Sequence, residues 1–371
     1  MHSGIDRRSA LLMTAAAARG SAANSAVRVG LIGAGGRGTF DASLLTKHTP
    51  ARVTAIADID PTHIARAKKT LDAPAATEHR DFREILNNPN IDAVLIATPV
   101  FLHPEHLEAA IQAGKHIYIE KPAGADVEGC KRVLKAADGA DRRINITFGF
   151  QQRYGPGYRK AHALVHSQAF GKLRFAHSHW IKGVNTKGQE QPSERPRTEA
   201  EKLKHWKDWR ETFGDFIVET YCHGVDVLNW FLGGHPEKAS GTGSQLIIKR
   251  GDQRDHCAVT FTYPGGVQAN LTGSQIAPLW HRDVAERFYS ETMVVETARE
   301  YWKLHKGREA PTEEREPRDI TIDALSEFVK RVQDGRPENA GVSAAESTLT
   351  AILARTAMDL GREVTWKELV G

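Results

Sequence analysis

The feature that most constrains the fold of this 371-residue chain is a run of glycines directly after a short apolar segment. Residues 27–32 have the composition of a buried β-strand, and residues 33–38 follow with the sequence GAGGRG. In this GxGxxG spacing, the first glycine allows a tight turn and the second allows the close approach of an anion. The third allows a helix to pack on the strand. The segment therefore predicts a strand–turn–helix unit that binds the pyrophosphate of a dinucleotide.

The second predicted strand, residues 52–57, ends at Asp58. A carboxylate at this place can bind the hydroxyls of the adenosine ribose and would repel a 2′-phosphate, which favours NAD over NADP. The alternative is that Asp58 belongs to the turn or the helix cap before Asp60-Pro61.

Strand and helix patterns alternate regularly in the first half of the chain and predict a doubly wound parallel sheet over residues 27–148. The predicted strands are residues 27–32, 52–57, 91–97, 117–119 and 144–148, and the longer predicted helices are residues 39–48, 61–71, 104–113 and 126–137.

Residues 149–371 differ in pattern and predict a second domain with a large, mostly antiparallel sheet. The segments 256–263 and 267–272 are joined by Pro264-Gly265-Gly266, which is typical of a β-hairpin. Residues 182–213 are polar and too long for a simple connection, so we expect a loop region at a substrate mouth. The other predicted elements are a helix at 156–168, a strand at 173–180 and helices near 322–333 and 343–361.

A charged pair ends the strand formed by residues 117–119. Glu120 and Lys121 precede Pro122, at the carboxyl end of a strand, where open α/β sheets bind their ligands. A lysine at a desolvated rim suits acid–base chemistry at a hydroxyl. The alternative is a solvated lysine that simply ends the strand.

Glu219, His223 and Asp226 have the i, i+4, i+7 spacing of one helix face. A histidine between carboxylates would have a fixed tautomer and raised basicity. Metal binding by this trio, or by the segment 103–106 with two histidines, is an alternative, as are plain surface charge and a packed histidine.

Composition excludes several classes of protein. Hydrophobic residues make up 40% and charged residues 26% of the chain, as in soluble globular proteins. The net charge of +4 is spread without a basic block, so nucleic-acid binding is not expected. Cys130, Cys222 and Cys257 form no CxxC motif and no disulfide framework. Cys222 lies beside His223 in sequence, but neighbours in a helix or strand point in different directions, which disfavours a nucleophile.

Residues 1–26 resemble an export leader. Arg7 and Arg8 precede an alanine-rich segment at 10–18 that is too short to span a bilayer, and small residues follow at 21–26. This order resembles a twin-arginine signal and predicts a periplasmic protein; a disordered leader on a cytoplasmic protein is the alternative.

Several ordered motifs together resemble the glucose–fructose oxidoreductase / inositol dehydrogenase / rhizopine-catabolism family, Gfo/Idh/MocA. Val100 stands where many members carry Asn, and Glu219 where many carry Asp. The matching segments are the glycine turn, Ala97-Thr98-Pro99 with His103, Gly114-Lys115-His116, Glu120-Lys121-Pro122, Gly149-Phe150-Gln151-Gln152-Arg153-Tyr154, and residues 223–230 with His223 and Asp226.

The resemblance implies an α/β protein with an N-terminal Rossmann domain and a C-terminal α+β domain. It implies that Lys121 and His223 face the nicotinamide and share the proton transfer, and Glu219 is the third expected catalytic residue. The expected cofactor-binding residues are Gly33, Gly35, Gly36, Arg37, Gly38, Asp58, Thr98, Pro99, His103, Glu120 and Lys121.

The expected substrate-binding residues are Arg153, Tyr154, Trp206 and Asp226. Trp206, with Trp209 and His205, comes from the polar loop and could stack on a sugar ring, although tryptophans more often serve simple packing.

The sequence thus predicts an NAD-dependent oxidoreductase acting on a hydroxyl-bearing carbon of a sugar, sugar acid or cyclitol. It predicts no metal, no nucleic-acid or membrane partner, and a homodimer or homotetramer. Two alternatives stay open, an NAD-recycling glycosidase of the same family and a non-catalytic sensor of a sugar or dinucleotide.

Overall fold

The computed structural model describes residues 26–187 and 189–371, and its first sheet is built from six parallel strands in the order β3-β2-β1-β4-β5-β6. The order reverses between β1 and β4, which opens a crevice at the carboxyl ends of these strands. The strands are β1 (Arg28–Ile32), β2 (Arg52–Ala57), β3 (Thr77–His79), β4 (Ala93–Ile96), β5 (His116–Ile119) and β6 (Ile146–Phe148).

Helices cover both faces of this sheet, and therefore its central strands are mostly apolar. Every residue of β4 is buried. Helix α1 lies on one face, and α4 and α5 pack together on the other. The helices are α1 (Gly36–His48), α2 (Pro61–Thr70), α3 (Phe82–Leu86), α4 (His103–Gln112) and α5 (Val127–Asp138).

The predicted alternation of strands and helices is confirmed, with one addition. The sequence analysis missed the edge strand β3, which is exposed at two of its three positions and therefore lacks an apolar pattern.

The second sheet has nine strands in the order β14-β13-β12-β11-β7-β10-β9-β8-β15. Only the pair β7–β10 is parallel, so the expected mostly antiparallel sheet and its β9–β10 hairpin are confirmed. The strands are β7 (Phe175–Lys182), β8 (Lys238–Ser244), β9 (His256–Thr262), β10 (Gln268–Ser274), β11 (Arg282–Tyr289), β12 (Met293–Ala298), β13 (Tyr301–Lys306), β14 (Thr312–Arg315) and β15 (Val364–Thr365).

Helices on the inner face of this sheet connect it to the first domain. Helix α10 is buried along most of its length against β7 and β11. The two long C-terminal helices return to the first domain, α11 against α1 and α12 against α5. The helices are α6 (Pro156–Val165), α7 (Glu199–Lys204), α8 (Arg210–Phe213), α9 (Phe216–Glu219), α10 (Cys222–Leu232), α11 (Ile320–Asp334), α12 (Gly341–Leu360) and α13 (Trp366–Val370).

The region expected to be a polar loop, residues 182–213, contains the two short helices α7 and α8. Helix α7 begins with a capping box, in which Thr198 and Glu201 satisfy each other's backbone N–H groups. Helix formation here depends on this local capping rather than on an apolar face. In the described part of the chain no helix is both long enough and apolar enough to cross a membrane.

Candidate active site

A cleft of about 840 Å³ opens at the carboxyl ends of β1, β2 and β4. Its walls come from the glycine turn, from the end of β2 and from the segment after β4, and helix α7 with Trp206 faces them from the second domain. Of the predicted cofactor-binding residues, the cleft is lined by Gly33, Gly35, Gly36, Arg37, Asp58, Thr98 and Pro99.

The glycines of the turn have two different physical roles. Gly33 has a positive φ of 88°, and a Cβ there would lie 2.8 Å from the carbonyl oxygen of Ala97. A Cβ on Gly38 would overlap the carbonyl oxygen of Gly33. By contrast, a Cβ on Gly35 or Gly36 would meet no protein atom within 4 Å. The first pair is required by packing, and the second leaves open space at the N-terminus of α1.

This open space fits the pyrophosphate of a dinucleotide. Helix α1 begins at Gly36 with no acidic residue in its first turn, so its unpaired N–H groups offer a site for an anion. The residues present therefore agree with the predicted dinucleotide site.

Asp58 links the glycine turn to the start of α2. Its carboxylate accepts hydrogen bonds from the backbone N–H of Ala34 at 2.8 Å and of Asp60 at 2.9 Å, and it lies 3.3 Å from Nδ1 of His63. The cap of α2 is Asp60, whose side chain accepts from Thr62 N. Asp58 is therefore not the helix cap, but its bond to the N–H of Asp60 does give it the expected turn role. Its carboxylate also lines the cleft.

A smaller cavity of about 310 Å³ adjoins the cleft and shares Arg37, Thr98 and Trp206 with it. Both domains contribute to its walls. It brings together the three predicted catalytic residues, Lys121, Glu219 and His223, with the predicted cofactor residues His103 and Glu120.

Lys121 and Glu219 form an ion pair at this boundary between the domains. Lys121 Nζ lies 2.8 Å from Glu219 Oε1 and also donates to the Glu219 carbonyl oxygen. Burial alone would raise the pKa of Glu219, but the charge of Lys121 and the hydrogen bonds from Lys121 and Thr220 lower it to about 2. Burial alone would lower the pKa of Lys121, but Glu219 outweighs it and the pKa is raised. Both groups are therefore charged at neutral pH.

His223 is held by aromatic rings. Its imidazole stacks on the Trp180 ring, with 5.3 Å between the ring centroids and an angle of 11° between the planes. It meets the ring of Phe150 edge-on, with 6.0 Å between the centroids. Burial, followed by the charges of Lys121 and Arg299, holds the pKa of His223 well below its usual range. Nδ1 has no hydrogen-bond partner among the described residues. The imidazole is therefore neutral.

The prediction of a histidine between two carboxylates with raised basicity is wrong. Helix α9 ends at Glu219 and α10 begins at Cys222, so the assumed continuous helix is broken. The Glu219 carboxylate faces Lys121, and Asp226 pairs with Arg153.

Glu120 is one end of a charge network whose two carboxylates are buried. Its Oε1 lies 2.9 Å from Arg37 Nη2, and Arg37 Nε lies 3.0 Å from Asp41 Oδ2. Asp41 is fully buried. The sequence analysis missed Asp41, although its i, i+4 spacing from Arg37 in α1 was the available signal. The network fixes Arg37 where the cleft meets the cavity.

The two histidines of the 103–106 segment hold the end of β4 in place. The two ring nitrogens of His103 lie 2.7 Å from the carbonyl oxygen of Pro122 and 2.9 Å from that of Thr98. His106 Nδ1 lies 2.9 Å from Thr98 Oγ1. These contacts leave no nitrogen of His103 for a metal, and no group of three or more candidate ligands occurs in the described ranges.

The predicted substrate-binding residues divide into two groups. Trp206 lines both the cleft and the cavity. Arg153, Tyr154 and Asp226 line neither: Arg153 pairs with Asp226 through contacts of 2.8–3.1 Å, and Tyr154 packs in the core near α11. Their polar and apolar groups are engaged within the protein and outside both cavities, so a role of these three in substrate binding stays a prediction.

Trp209 and His205 also have packing roles. Trp209 is 9% exposed, and His205 Nδ1 lies 2.9 Å from Arg250 Nη2.

Among the cavity residues that the sequence analysis missed, four come from the second sheet and its turns: Trp180, Lys182, Arg282 and Arg299. They come from β7, from β11 and from the turn after β12. Only the strand register, which the sequence does not reveal, brings them together.

Comparisons with known proteins agree with this geometry. Residues 27–148 match the model described as "Oxidoreductase family, NAD-binding Rossmann fold", and residues 158–289 match the GFO/IDH/MocA C-terminal domain. The chain belongs to this family. It is thus an NAD-binding oxidoreductase.

Three relatives illustrate the similarity. Myo-inositol 2-dehydrogenase of Thermotoga maritima is 23% identical over 93% of this chain and 100% of its own length. A 1-carboxy-3-chloro-3,4-dihydroxycyclohexa-1,5-diene dehydrogenase of Comamonas testosteroni is 26% identical over 76% of this chain and 68% of its own. The structure of levoglucosan dehydrogenase with NADH and levoglucosan superposes with a TM-score of 0.79, at 17% identity, over 92% of this chain and 99% of that one.

We expect Arg153→Met to lower the free energy of unfolding by roughly 3 kcal/mol, because it leaves the buried Asp226 carboxylate without its cation and with only the hydroxyl of Ser347 as a side-chain partner. Urea denaturation measures this loss. The matched control is Arg143→Met, which breaks the exposed Arg143–Asp141 pair and should change the unfolding midpoint little. A large rise in the substrate KM of Arg153→Met without loss of stability would contradict the packing role.

The two kinds of glycine in the turn should respond differently to the same substitution. Gly35→Ala should keep the stability of the protein but weaken NAD binding, because its methyl group fills the open cradle. Gly38→Ala should lower the free energy of unfolding by about 1–3 kcal/mol, because its methyl group overlaps the Gly33 carbonyl. Thermal denaturation and NAD titration check the pair. Equal NAD affinity in Gly35→Ala and the wild type would contradict the position of the cradle.

Proposed function

We propose that this family member transfers a hydride between the nicotinamide of NAD and a hydroxyl-bearing carbon of a sugar, sugar acid or cyclitol. The observation that carries the proposal is the cavity beside the dinucleotide cleft, in which a charged lysine and a neutral histidine line the same walls. Relatives named as dehydrogenases of cyclitols support this substrate class.

The protonation states assign different tasks to the two residues. In the oxidation direction, neutral His223 accepts the proton of the substrate hydroxyl. The Lys121 ammonium donates a hydrogen bond to the same oxygen and stabilises the negative charge that develops there. Glu219 keeps Lys121 charged and aimed. Bound NAD supplies the hydride acceptor.

This division of tasks predicts the pH dependence of polyol oxidation. The rate should fall when His223 becomes protonated, and since its pKa lies below the usual value of 6.5, the acidic limb of kcat/KM should lie below pH 6.5. His223→Asn should remove the limb and lower kcat by about 10²–10⁴-fold. A limb that persists in His223→Asn would assign the proton transfer to another group.

Lys121→Met should lower kcat by a similar factor, because the developing alkoxide loses its cation, while the protein still binds NAD. The matched control is Lys172→Met, which removes an exposed lysine in the turn before β7 and should leave kcat unchanged. A fully active Lys121→Met variant would exclude the proposed role.

We propose NAD rather than NADP as the preferred dinucleotide, because the Asp58 carboxylate lines the cleft beside the glycine turn. Asp58→Ser should raise kcat/KM with NADP and lower it with NAD, which steady-state kinetics with both dinucleotides would measure. The control Asp138→Ser changes an exposed aspartate at the end of α5. It should leave the ratio of kcat/KM with NADP to kcat/KM with NAD unchanged. An unchanged ratio in Asp58→Ser would mean that another residue discriminates between NAD and NADP.

The glycosidase and sensor alternatives receive no support from the relatives, whose names describe dehydrogenases and other oxidoreductases. Export through residues 1–26 stays a prediction, since residues 1–25 lie outside the described residues. Assembly into a homodimer or homotetramer stays a prediction as well.

A further inference from the structure

Besides Lys121, three basic side chains line the smaller cavity without lining the dinucleotide cleft: Lys182, Arg282 and Arg299. Lys182 ends β7, Arg282 begins β11, and Arg299 follows β12. Within residues 26–187 and 189–371, none of the three has a carboxylate oxygen within the 4.0 Å of an ion pair, although such pairs are frequent elsewhere in the structure.

Two of these cations lie directly opposite each other. Lys182 and Arg282 are cross-strand partners in the antiparallel β7–β11 pair, and each charged group lies 5.9 Å from the centroid of the Trp180 ring. Like charges directly opposite in a sheet are destabilising. The fold therefore keeps an unfavourable pair that a single acidic residue on either strand would relieve.

The carboxylates of the cavity are already engaged. Glu219 pairs with Lys121, and Glu120 pairs with Arg37. Arg299 donates to the side-chain oxygen of Gln151 at 3.2 Å, which is a neutral partner. Lys182, Arg282 and Arg299 thus lack an ion-pair partner among the described residues, and burial together with Arg282 lowers the pKa of Lys182.

The dinucleotide does not account for this charge. Its pyrophosphate fits the glycine turn, where Arg37 lines the cleft. Lys207 lines both the cleft and the cavity, so it is within reach of the dinucleotide. Lys182 is half-buried and Arg282 is exposed, and both line the cavity that also holds Lys121 and His223.

We propose that the substrate carries an anionic group, a carboxylate or a phosphate ester, which Lys182, Arg282 and Arg299 bind while the reacting hydroxyl lies at Lys121 and His223. This inference rests on the proposed function and narrows its substrate class. Arginine and lysine both bind these groups, and a planar guanidinium matches either one with two parallel hydrogen bonds.

The test compares glucose, galactose and mannose, each as the neutral sugar, the uronate and the 6-phosphate, with saturating NAD at constant ionic strength. For the hexose that reacts fastest, we expect kcat/KM of one anionic form to exceed that of the neutral sugar by about 10–100-fold. The preferred form, uronate or 6-phosphate, identifies the anionic group. Equal or faster oxidation of the neutral sugar would overturn the inference and leave the proposed oxidoreductase activity intact.

Lys182→Met and Arg282→Met should each reduce this anionic-to-neutral ratio by about tenfold or more. The control Lys172→Met, with the same loss of one charge outside the cavity, should keep the ratio. The NAD dissociation constant should stay within about twofold in both variants, and the melting temperature should not fall, because a like-charge repulsion is removed. A parallel loss of NAD affinity would assign these cations to the cofactor and overturn the inference.

If none of the nine compounds is oxidised, the test is their binding to the enzyme–NADH complex. This binding is measured by the change in NADH fluorescence. If an anionic form binds more tightly than its neutral sugar, and if Lys182→Met reduces this difference in affinity, the inference is supported even without oxidation. Equal binding of both forms, or the same affinity in Lys182→Met and the wild type, overturns it.

Discussion

The ion pair between Lys121 and Glu219 is the interaction on which the rest of the site depends. It joins the end of a parallel strand in the first domain to the end of helix α9 in the second. Removing two charges from water costs several kcal/mol for each ion. The structure offsets this cost with additional hydrogen bonds, from Thr220 Oγ1 to the Glu219 carboxylate and from Lys121 to the Glu219 carbonyl.

The pKa shifts of the pair set the pH range in which it stabilises the fold. The lowered pKa of Glu219 contributes stability above its usual value of about 4.5, and this is lost as the pH falls toward about 2. The raised pKa of Lys121 contributes stability below its usual value of about 10.5, and this is lost as the pH rises through the folded value. Both groups therefore stay charged across the neutral pH range, where the ion pair contributes its full stability.

Helix α12 helps to fix the position of Glu219 through contacts with the residues that precede helix α9. Helix α9 follows Gly214 and Asp215, which have positive φ angles of 88° and 85°. Arg355 of α12 donates to the Gly214 carbonyl oxygen at 2.9 Å, and Arg254 lies 2.9 Å from the Asp215 carboxylate. A non-glycine residue at such a φ persists only where its surroundings hold it. These contacts link the last long helix to the site.

The sequence was sufficient for the features that depend on local spacing. The glycine turn, Asp58 and the lysine at the end of β5 each follow from a strand pattern and a few adjacent residues. The environment of a side chain was harder to predict. The pairing of Arg153 with Asp226 and the low basicity of His223 depend on contacts between distant segments. The opposition of Lys182 and Arg282 requires the register of β7 against β11, which lie about a hundred residues apart.

The charges of the cavity thus fall into two groups with different structural supports. Lys121 and Glu219 neutralise each other where the domains meet, so a change there disturbs the fold and the chemistry together. Lys182 and Arg282 lie on the sheet alone and repel each other, so their loss should relieve the sheet rather than damage it. In the proposed reaction, proton transfer and substrate choice therefore belong to separate elements. Substitutions on β7 and β11 could then change the substrate class while the Lys121–Glu219 pair keeps its geometry.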